Sequence, residues 1–261
     1  MDILSQIEAN AVKRVEEKKK ELPLKALKAL TSGMDGKGEA FKAGVSKEGV
    51  SFICECKKAS PSKGVIAEKY DPVGTALEYE KAGADCLSVL TEPKWFRGSE
   101  KHLEMIKKSV GLPCLRKDFT VDEYMIYEAK MIGASAVLLI CALLDRARLK
   151  DYIQICRDEG MAAVTEIHNE DEAEAALSAG AEIIGANSRD LRDFSTDGSV
   201  VARLRREVPG DVLFIYESGI RKREDIVKAE KAGCDAVLIG ETMMRAHDKG
   251  KMLRYLKGEE T

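Results

Sequence analysis

The most constraining feature of the sequence is a segment that recurs four times at a nearly constant interval. In each copy a helical pattern ends at a glycine and leads into a short apolar run. The glycines are Gly83, Gly133, Gly180 and Gly233, at intervals of 50, 47 and 53 residues. Glycine is common just beyond a helix C-terminus, and such runs are typical of strands buried on both faces of a parallel sheet. The repeat therefore predicts alternating helices and parallel strands.

Four further apolar runs lie between the repeats and bring the number of predicted strands to eight. They occupy residues 51–57, 113–119, 161–168 and 212–218. Two strand–helix units per repeat, taken four times, predict an α/β fold with one closed (β/α)8 TIM barrel. An open doubly wound sheet is the main rival, but no Gly-x-Gly-x-x-Gly follows a predicted strand. A solenoid is disfavoured because no terminal unit resembles a cap.

The first part of the chain precedes the first predicted strand. Residues 1–46 are interpreted as an N-terminal helical extension, and residues 47–256 as the barrel, within a single domain over residues 1–261. The lysine-rich part of the extension is interpreted as a solvated face of an amphipathic helix. Packing of the extension over one end of the barrel is the alternative.

The composition is that of an ordinary soluble globular protein. There are 42 Lys and Arg against 45 Asp and Glu, a net charge of −3, so the bulk positive charge of a nucleic-acid binder is missing. No apolar run is long enough to span a membrane, and no secretory signal is recognisable. The seven cysteines lack metal or disulfide spacing and are predicted to be reduced, buried thiols. We expect a cytoplasmic monomer that binds neither nucleic acid nor membrane and uses no metal or cofactor.

Polar residues stand at the C-terminal ends of six predicted strands. Barrel active sites are built at this end, and burying many ionisable groups is unfavourable unless they pair or meet a ligand. The residues are Glu55 and Lys57, Lys117 and Asp118, Glu166 and His168, Asn187 and Arg189, Glu217 and Ser218, and Gly240 and Glu241. The pattern predicts an active site at this end of the barrel.

Three of these residues form a credible proton-transfer set. Lys57, Lys117 and Glu166 come from the first, third and fifth strands, and alternate strands supply the same layer of a barrel. Crowded cations would lower a lysine pKa, whereas neighbouring carboxylates would hold the lysine charged. The sequence leaves open which influence prevails.

A phosphate site is predicted where the last two strands lead into helices. Ser218 and Gly219 follow the seventh strand, and Gly240 and Glu241 follow the eighth, the usual position of phosphate in barrels. Ser60, in the loop after the first strand, adds a hydroxyl. Simple turns are the alternative for each pair taken alone. Together they predict a phosphorylated small-molecule substrate.

Several motifs in fixed order resemble the indole-3-glycerol phosphate synthase family. The resemblance extends over about residues 50 to 245, and KKASPS together with LRKDF is its most specific part. The motifs are ECKKASPSKG, LTEPKWFRGS, PCLRKDFTVDEY, ASAVLLI, VTEIHNEDE, IGANSRDL, ESGI and DAVLIGETMM. Such a family implies a carboxy-lyase of tryptophan biosynthesis. It would close the ring of 1-(o-carboxyphenylamino)-1-deoxyribulose 5-phosphate with loss of carbon dioxide and water.

The resemblance also implies a role for individual residues. Lys117 matches the general acid of ring closure, Glu166 the general base of dehydration, and Lys57 the lysine that holds the substrate carboxylate. The remaining matches are Glu55, Asn187 and Ser218 as supporting catalytic positions, Glu217 and Arg189 as polar neighbours, Ser60, Gly219, Gly240 and Glu241 around the phosphate, and Phe96, Phe119, Leu138 and Leu191 as apolar walls. The alternatives are another phosphate-binding barrel enzyme, such as phosphoribosylanthranilate isomerase, or a non-catalytic barrel scaffold. The isomerase would want a Cys and Asp acid–base pair at strand ends.

Overall fold

Eight parallel strands form a closed barrel in the computed structural model, which describes residues 3–188 and 199–259. Each barrel strand pairs with its neighbours in chain order, and the last strand pairs with the first. The barrel strands are β1 (Ser51–Cys56), β4 (Cys86–Leu90), β5 (Cys114–Lys117), β6 (Ala136–Ile140), β7 (Ala162–Ile167), β8 (Ile183–Asn187), β9 (Leu213–Glu217) and β10 (Ala236–Ile239). Two short strands, β2 (Ala59–Ser60) and β3 (Gly64–Val65), form a hairpin after β1. The predicted TIM barrel is confirmed.

Helices alternate with the barrel strands and surround them. Those of the barrel are α4 (Pro72–Lys81), α5 (Glu100–Ser109), α6 (Tyr124–Met131), α7 (Arg146–Asp158), α8 (Glu170–Ser178), α9 (Ser199–Glu207), α10 (Arg223–Ala232), α11 (Glu241–Arg245) and α12 (Lys249–Lys257). The four repeat glycines all adopt positive φ, between 78° and 86°, directly after helices. Their left-handed conformation ends each helix and turns the chain into the next strand, as the repeat predicts.

Side chains alternate between the inside of the barrel and the layer under the helices. On β1, Ile53 and Glu55 face inwards, whereas Cys54 and Cys56 pack against the surrounding helices. This period of two follows from strand geometry, since successive side chains point to opposite faces. All seven cysteines are free thiols, and six of them are buried. None of the described helices is long and apolar enough to cross a membrane.

Three helices precede the barrel: α1 (Ile3–Glu21), α2 (Leu24–Thr31) and α3 (Gly38–Val45). Helix α3 lies across the N-terminal end of the barrel, where Phe41 and Val45 are completely buried. The amide of Gly38 donates a hydrogen bond of 2.9 Å to the carbonyl of Gly160, just before β7. Helix α3 therefore packs over one end of the barrel, which is the alternative that the sequence disfavours.

Helix α1 packs on the loops that follow β4 and β5. Its apolar face buries Ile7, Ala11 and Val15. Lys18 pairs with Glu128 at 2.6 Å, and Lys19 with Asp122 at 2.7 Å. The interpretation of the lysine-rich part as a solvated face is thus wrong for these two residues, because acidic side chains of α6 and of the loop after β5 draw them into ion pairs. The assignment of the whole chain to one domain stays a prediction.

Candidate active site

The C-terminal ends of the strands surround one cavity of about 310 Å³. Every described residue among the predicted site residues lines it, and Arg189 and Leu191 lie outside the described residues. The lining includes Glu55, Lys57, Ser60, Phe96, Lys117, Phe119, Leu138, Glu166, Asn187, Glu217, Ser218, Gly219, Gly240 and Glu241. The structure thus brings these residues together, because a closed parallel barrel brings all strand ends to one rim, and their roles stay predictions.

A lysine between two carboxylates occupies the centre of the cavity floor. The Nζ atom of Lys117 lies 2.8 Å from Oε2 of Glu166 and 3.1 Å from Oε2 of Glu217. Lys117 ends β5, whereas Glu166 and Glu217 come from β7 and β9, so the three side chains belong to alternate strands. Both carboxylates are almost completely buried. The inner layer of the barrel therefore carries ionised groups where a packed core would carry aliphatic ones.

The three groups hold different protonation states. Burial would lower the pKa of Lys117, but the charges of Glu166 and Glu217 outweigh burial and hold this pKa above its usual value. Burial would raise the pKa of Glu166, but Lys117, His168 and a hydrogen bond from Asn187 bring it down to about 2. For Glu217, burial and the charge of Glu166 prevail over Lys117 and raise the pKa to about 7. The neighbouring carboxylates therefore have more influence on the pKa of Lys117 than crowded cations have. Lys117 is an ammonium that faces one ionised carboxylate, Glu166, and one readily protonated carboxyl, Glu217.

Lys57 and Glu55 form a second ion pair at the mouth. They are two residues apart at the end of β1, so they share a face, as predicted. Gly240, after β10, makes room for them, since a Cβ there would collide with the Glu55 carboxylate and approach Lys57 Nζ to 2.8 Å. Gly185 on β8 makes room for Glu217 in the same way, because a Cβ at that position would overlap Oε1 of the Glu217 carboxyl. Small residues on neighbouring strands thus allow charged side chains to enter the barrel.

Small residues of the loops after β9 and β10 line one end of the cavity. Ser218 has φ of 67° and Gly219 has φ of 82°. Positive φ is strained for serine, and residues held in this way concentrate at functional sites. Glu241 turns its carboxylate to Arg245, with Arg245 Nε 2.9 Å from Oε1. Arg221, Thr242 and Arg245 also line this end, which sequence reasoning did not single out.

One wall of the cavity is apolar. The rings of Phe96 and Phe119 have centroids 6.0 Å apart and planes tilted by 41°. Leu138 and the additional residues Ile140 and Leu238 continue this wall along the inner face of the barrel. The amides of Trp95 and Phe96 both donate to Oε2 of Glu92, at 2.7 Å and 3.0 Å, and hold the loop after β4 in place. The wall is suited to a flat aromatic group.

Two of the predicted strand-end residues do not present their polar side chains to the cavity. The carboxylate of Asp118 is turned away from the cavity. It accepts one hydrogen bond of 2.8 Å from Arg14 on α1 and one of 2.6 Å from Thr91, which follows β4. The expectation that every polar strand end faces the site is wrong here, because Asp118 directly follows the inward-facing Lys117. His168 lies behind Glu166 and contacts Glu172 of α8. No group of three metal-ligating side chains is present within residues 3–188 and 199–259.

Comparisons with known proteins agree with this site. The family model described as indole-3-glycerol phosphate synthase matches residues 4–256. The indole-3-glycerol phosphate synthase of Ruminiclostridium cellulolyticum is 48% identical over 257 residues, covering 98% of this chain and 99% of the relative. This chain belongs to the indole-3-glycerol phosphate synthase family. Members of that family are carboxy-lyases of tryptophan biosynthesis, so the family predicted from the motifs is confirmed.

Further similarities extend from sequence to fold. The indole-3-glycerol phosphate synthase of Endomicrobium trichonymphae is 51% identical over 220 residues, covering 84% of each chain. A solved structure of a 3-hexulose-6-phosphate synthase superimposes with a TM-score of 0.66 at 15% identity, over 80% of this chain and 99% of that one. At that identity the second similarity shows the barrel fold alone. Membership of the synthase family disfavours both the isomerase and the scaffold alternatives.

Proposed function

We propose that this member of the synthase family converts 1-(o-carboxyphenylamino)-1-deoxyribulose 5-phosphate into indole-3-glycerol phosphate. The observation that carries the proposal is the joint placement, in one cavity, of an aromatic pair, a buried ammonium–carboxylate set and an end lined by small residues of the loops after β9 and β10. Ring closure, loss of carbon dioxide and loss of water give the product. Because a carboxylate leaves as neutral carbon dioxide, each turnover takes up one proton.

Lys117 is the proposed general acid of ring closure. Its ammonium group would protonate the substrate carbonyl oxygen as the ring carbon attacks the carbonyl carbon. The ion pair with Glu166 holds the proton on the lysine, so the substrate oxygen must compete with Glu166 for it. A proton donor fixed in a water-poor cavity typically contributes about 10² to 10⁴ in rate.

Glu166 is the proposed general base of dehydration. It is ionised and buried, and it receives a hydrogen bond from Asn187, which fixes the carboxylate without neutralising it. The proton it removes would come from the carbon next to the ring nitrogen, as the hydroxyl leaves as water. Lys117 at 2.8 Å can then recover this proton, and the acid and the base would return to their resting states together.

Lys57 is proposed to hold the carboxylate of the substrate's ring and then to donate the proton with which the hydroxyl leaves as water. Lys57 regains this proton from solvent, which is the one proton taken up in each turnover. Glu55 holds Lys57 in place through their ion pair. The two aromatic side chains Phe96 and Phe119 would press the substrate ring against the carbonyl carbon. Holding two reacting atoms in contact removes much of the entropic part of the barrier.

The phosphate is proposed to bind at the end formed by Ser218, Gly219, Gly240 and Glu241, with the Ser60 hydroxyl opposite. Arg221 and Arg245 line the same end, and Arg245 offsets the charge of Glu241 through their ion pair. Arg189 as a polar neighbour and Leu191 as part of the apolar wall stay predictions from the resemblance. The cytoplasmic location, the monomeric state, the absence of a cofactor and the absence of nucleic-acid or membrane partners also stay predictions.

The test is the fluorescence of the indole product formed by purified protein from the proposed substrate. Lys117→Ala should abolish turnover while the circular dichroism spectrum persists, because no other ammonium group lies at the centre of the described cavity floor. Lys150→Ala, which removes an exposed lysine of α7, is the matched control and should keep parental activity. Full activity of Lys117→Ala would overturn the assignment of the acid. Isomerisation of phosphoribosylanthranilate by the parent would favour the alternative enzyme.

A further inference from the structure

The side chain behind the proposed base has an arrangement that the mechanism above does not use. His168 directly follows β7, and its Nδ1 atom lies 3.1 Å from Oε2 of Glu172 on α8. Its other ring nitrogen, Nε2, lies 3.5 Å from Oε1 of Glu166. Nε2 is buried and has no hydrogen-bond partner among the described residues. The ring therefore bridges a carboxylate outside the cavity and the carboxylate of the base.

Glu172 is fixed in its own position by three hydrogen bonds. The backbone amide of His168 donates to its Oε2 at 2.8 Å, and the Asn169 side chain donates to its Oε1 at 2.9 Å. Asn169 in turn caps α8, since its Oδ1 accepts from the Glu172 amide at 2.9 Å. A second carboxylate that orients an imidazole is a common way to fix its tautomer. The ring of His168 thus has a rigid support on the side away from the cavity.

The charges around His168 favour a cation at this position. Among the described residues, the ionisable carboxyls that act on it are Glu166 of its own strand, Glu172 of α8 and Glu217 of β9. Burial would lower its pKa, but these three carboxyls outweigh burial and raise it. Lys117 is the ammonium between Glu166 and Glu217. Without an imidazolium at His168, this cluster would hold three carboxyl groups and one cation.

We propose that His168, oriented by Glu172, is a positioning residue that keeps the Glu166 carboxylate ionised and directed into the cavity. The proposal rests on the proposed role of Glu166 as the general base. An imidazolium on one oxygen and an ammonium on the other hold the carboxylate in a single orientation. When substrate draws Lys117 away, the imidazolium remains as the counter-charge of the base.

Kinetics of His168→Gln test the proposal, because glutamine is polar but cannot carry the charge. We expect kcat at neutral pH to fall by about tenfold, because the Glu166 carboxylate loses one of the two contacts that hold its orientation, with KM changed by less than about threefold. The acid limb of the kcat profile should move to higher pH, since the base loses a neighbouring cation. A variant that merely loosens the fold would lower activity without moving this limb.

Glu172→Gln and Glu174→Gln form a matched pair on α8. Glu174 is exposed and makes only a loose contact of 3.5 Å with Arg146, so its variant should behave as the parent. Glu172→Gln should move the acid limb in the same direction as His168→Gln. It should also lower the pKa of His168 measured by NMR titration, which is tractable because the chain has three histidines.

Unchanged kcat and acid limb in His168→Gln would overturn the proposal. So would an unchanged His168 pKa in Glu172→Gln, a readout that remains decisive if His168→Gln fails to fold. Glu166→Gln separates this proposal from the one on which it rests. If Glu166→Gln is inactive and His168→Gln is normal, only the role of His168 fails; if Glu166→Gln is active, the base itself is wrongly assigned.

Discussion

The two ends of the barrel use the same strands for opposite purposes. At the N-terminal end, the interior is filled by Ile53, Leu115, Val164 and Ile215, and Phe41 and Val45 of α3 cover this end. At the C-terminal end, the same faces of the strands carry Glu55, Lys117, Glu166 and Glu217, and a cavity replaces the packing. A step of two residues along a strand, as from Ile53 to Glu55 or from Leu115 to Lys117, thus separates a core from a charged site. The N-terminal ends of the strands thus contribute packing stability, and the C-terminal ends carry the active site that this packing supports.

The largest expected effect is a loss of catalytic activity in a variant that still folds. The double variant Lys117→Met with Glu166→Gln replaces the central ion pair by neutral side chains. We expect kcat to fall by at least about 10³-fold, because both proton-transfer groups are lost. Removing both charges of the pair avoids leaving an uncompensated buried ion, and Glu217, whose pKa is raised by burial, can stay protonated, so urea unfolding should show little loss of stability.

A double variant that unfolds at much lower urea would show that the C-terminal end contributes packing stability as well. The matching single variant Lys117→Met should be less stable than the double one, since it leaves buried carboxylates without their ammonium.

The N-terminal end should give the opposite result. Phe41→Ala removes a completely buried ring from α3 and should lower the free energy of unfolding by about 3–5 kcal/mol. At a temperature where the variant stays folded, kcat should remain within about threefold of the parent, because the cavity is at the other end. Met105→Ala, at an exposed apolar residue, is the control and should change stability by less than about 0.5 kcal/mol. A large fall in kcat for folded Phe41→Ala would break the division between the two ends.

A pH dependence should follow from Glu217. The folded protein raises the pKa of this carboxyl from 4.5 to about 7, so the folded state binds the proton more tightly than the unfolded state. Ionisation therefore removes stability as pH rises from about 4.5 to 7. Glu217→Gln has no proton to lose, and its stability relative to the parent should increase across this window by on the order of 3 kcal/mol.

Urea unfolding of parent and Glu217→Gln at pH 5 and pH 8 measures this difference. A difference that is the same at both pH values would contradict the raised pKa. Glu174→Gln, at an exposed carboxylate, should show a difference near zero throughout.

A smaller effect is expected where α1 meets the barrel. Arg14→Met leaves the completely buried carboxylate of Asp118 with the Phe119 amide, the Thr91 hydroxyl and the more distant Arg116 at 3.7 Å. We expect a loss of about 1–3 kcal/mol in the free energy of unfolding, the usual penalty for an incompletely satisfied buried group. Lys13→Met, whose partner Glu17 is 3.9 Å away on an exposed face, should have almost no effect. Equal effects of the two variants would contradict a structural role for the Arg14 pair.

The strands and most of the site could be predicted because they depend on local periodicity. The four glycines fix where helices end, and a period of two places Glu55 with Lys57 on one side of β1. Barrel closure then brings residues from distant parts of the sequence, such as Lys117 and Glu217, into contact without further information. These features need only the backbone geometry of strands and helices.

Other features depend on tertiary contacts that have no local signal. Arg14 and Asp118 are 104 residues apart, and nothing near either residue identifies its partner. Which of two adjacent polar residues, Lys117 or Asp118, faces the cavity is decided by strand register. The different protonation of Glu166 and Glu217 arises because several groups share one buried space, so it requires distances rather than sequence spacing.

The most direct test is a crystal structure of the protein with indole-3-glycerol phosphate bound. The account predicts the phosphate against the amides of Gly219 and Gly240, the indole ring between Phe96 and Phe119, and Lys117 and Glu166 both in contact with the former reaction centre. Product bound with its phosphate at another place, or with Lys117 and Glu166 out of reach of the indole, would contradict it.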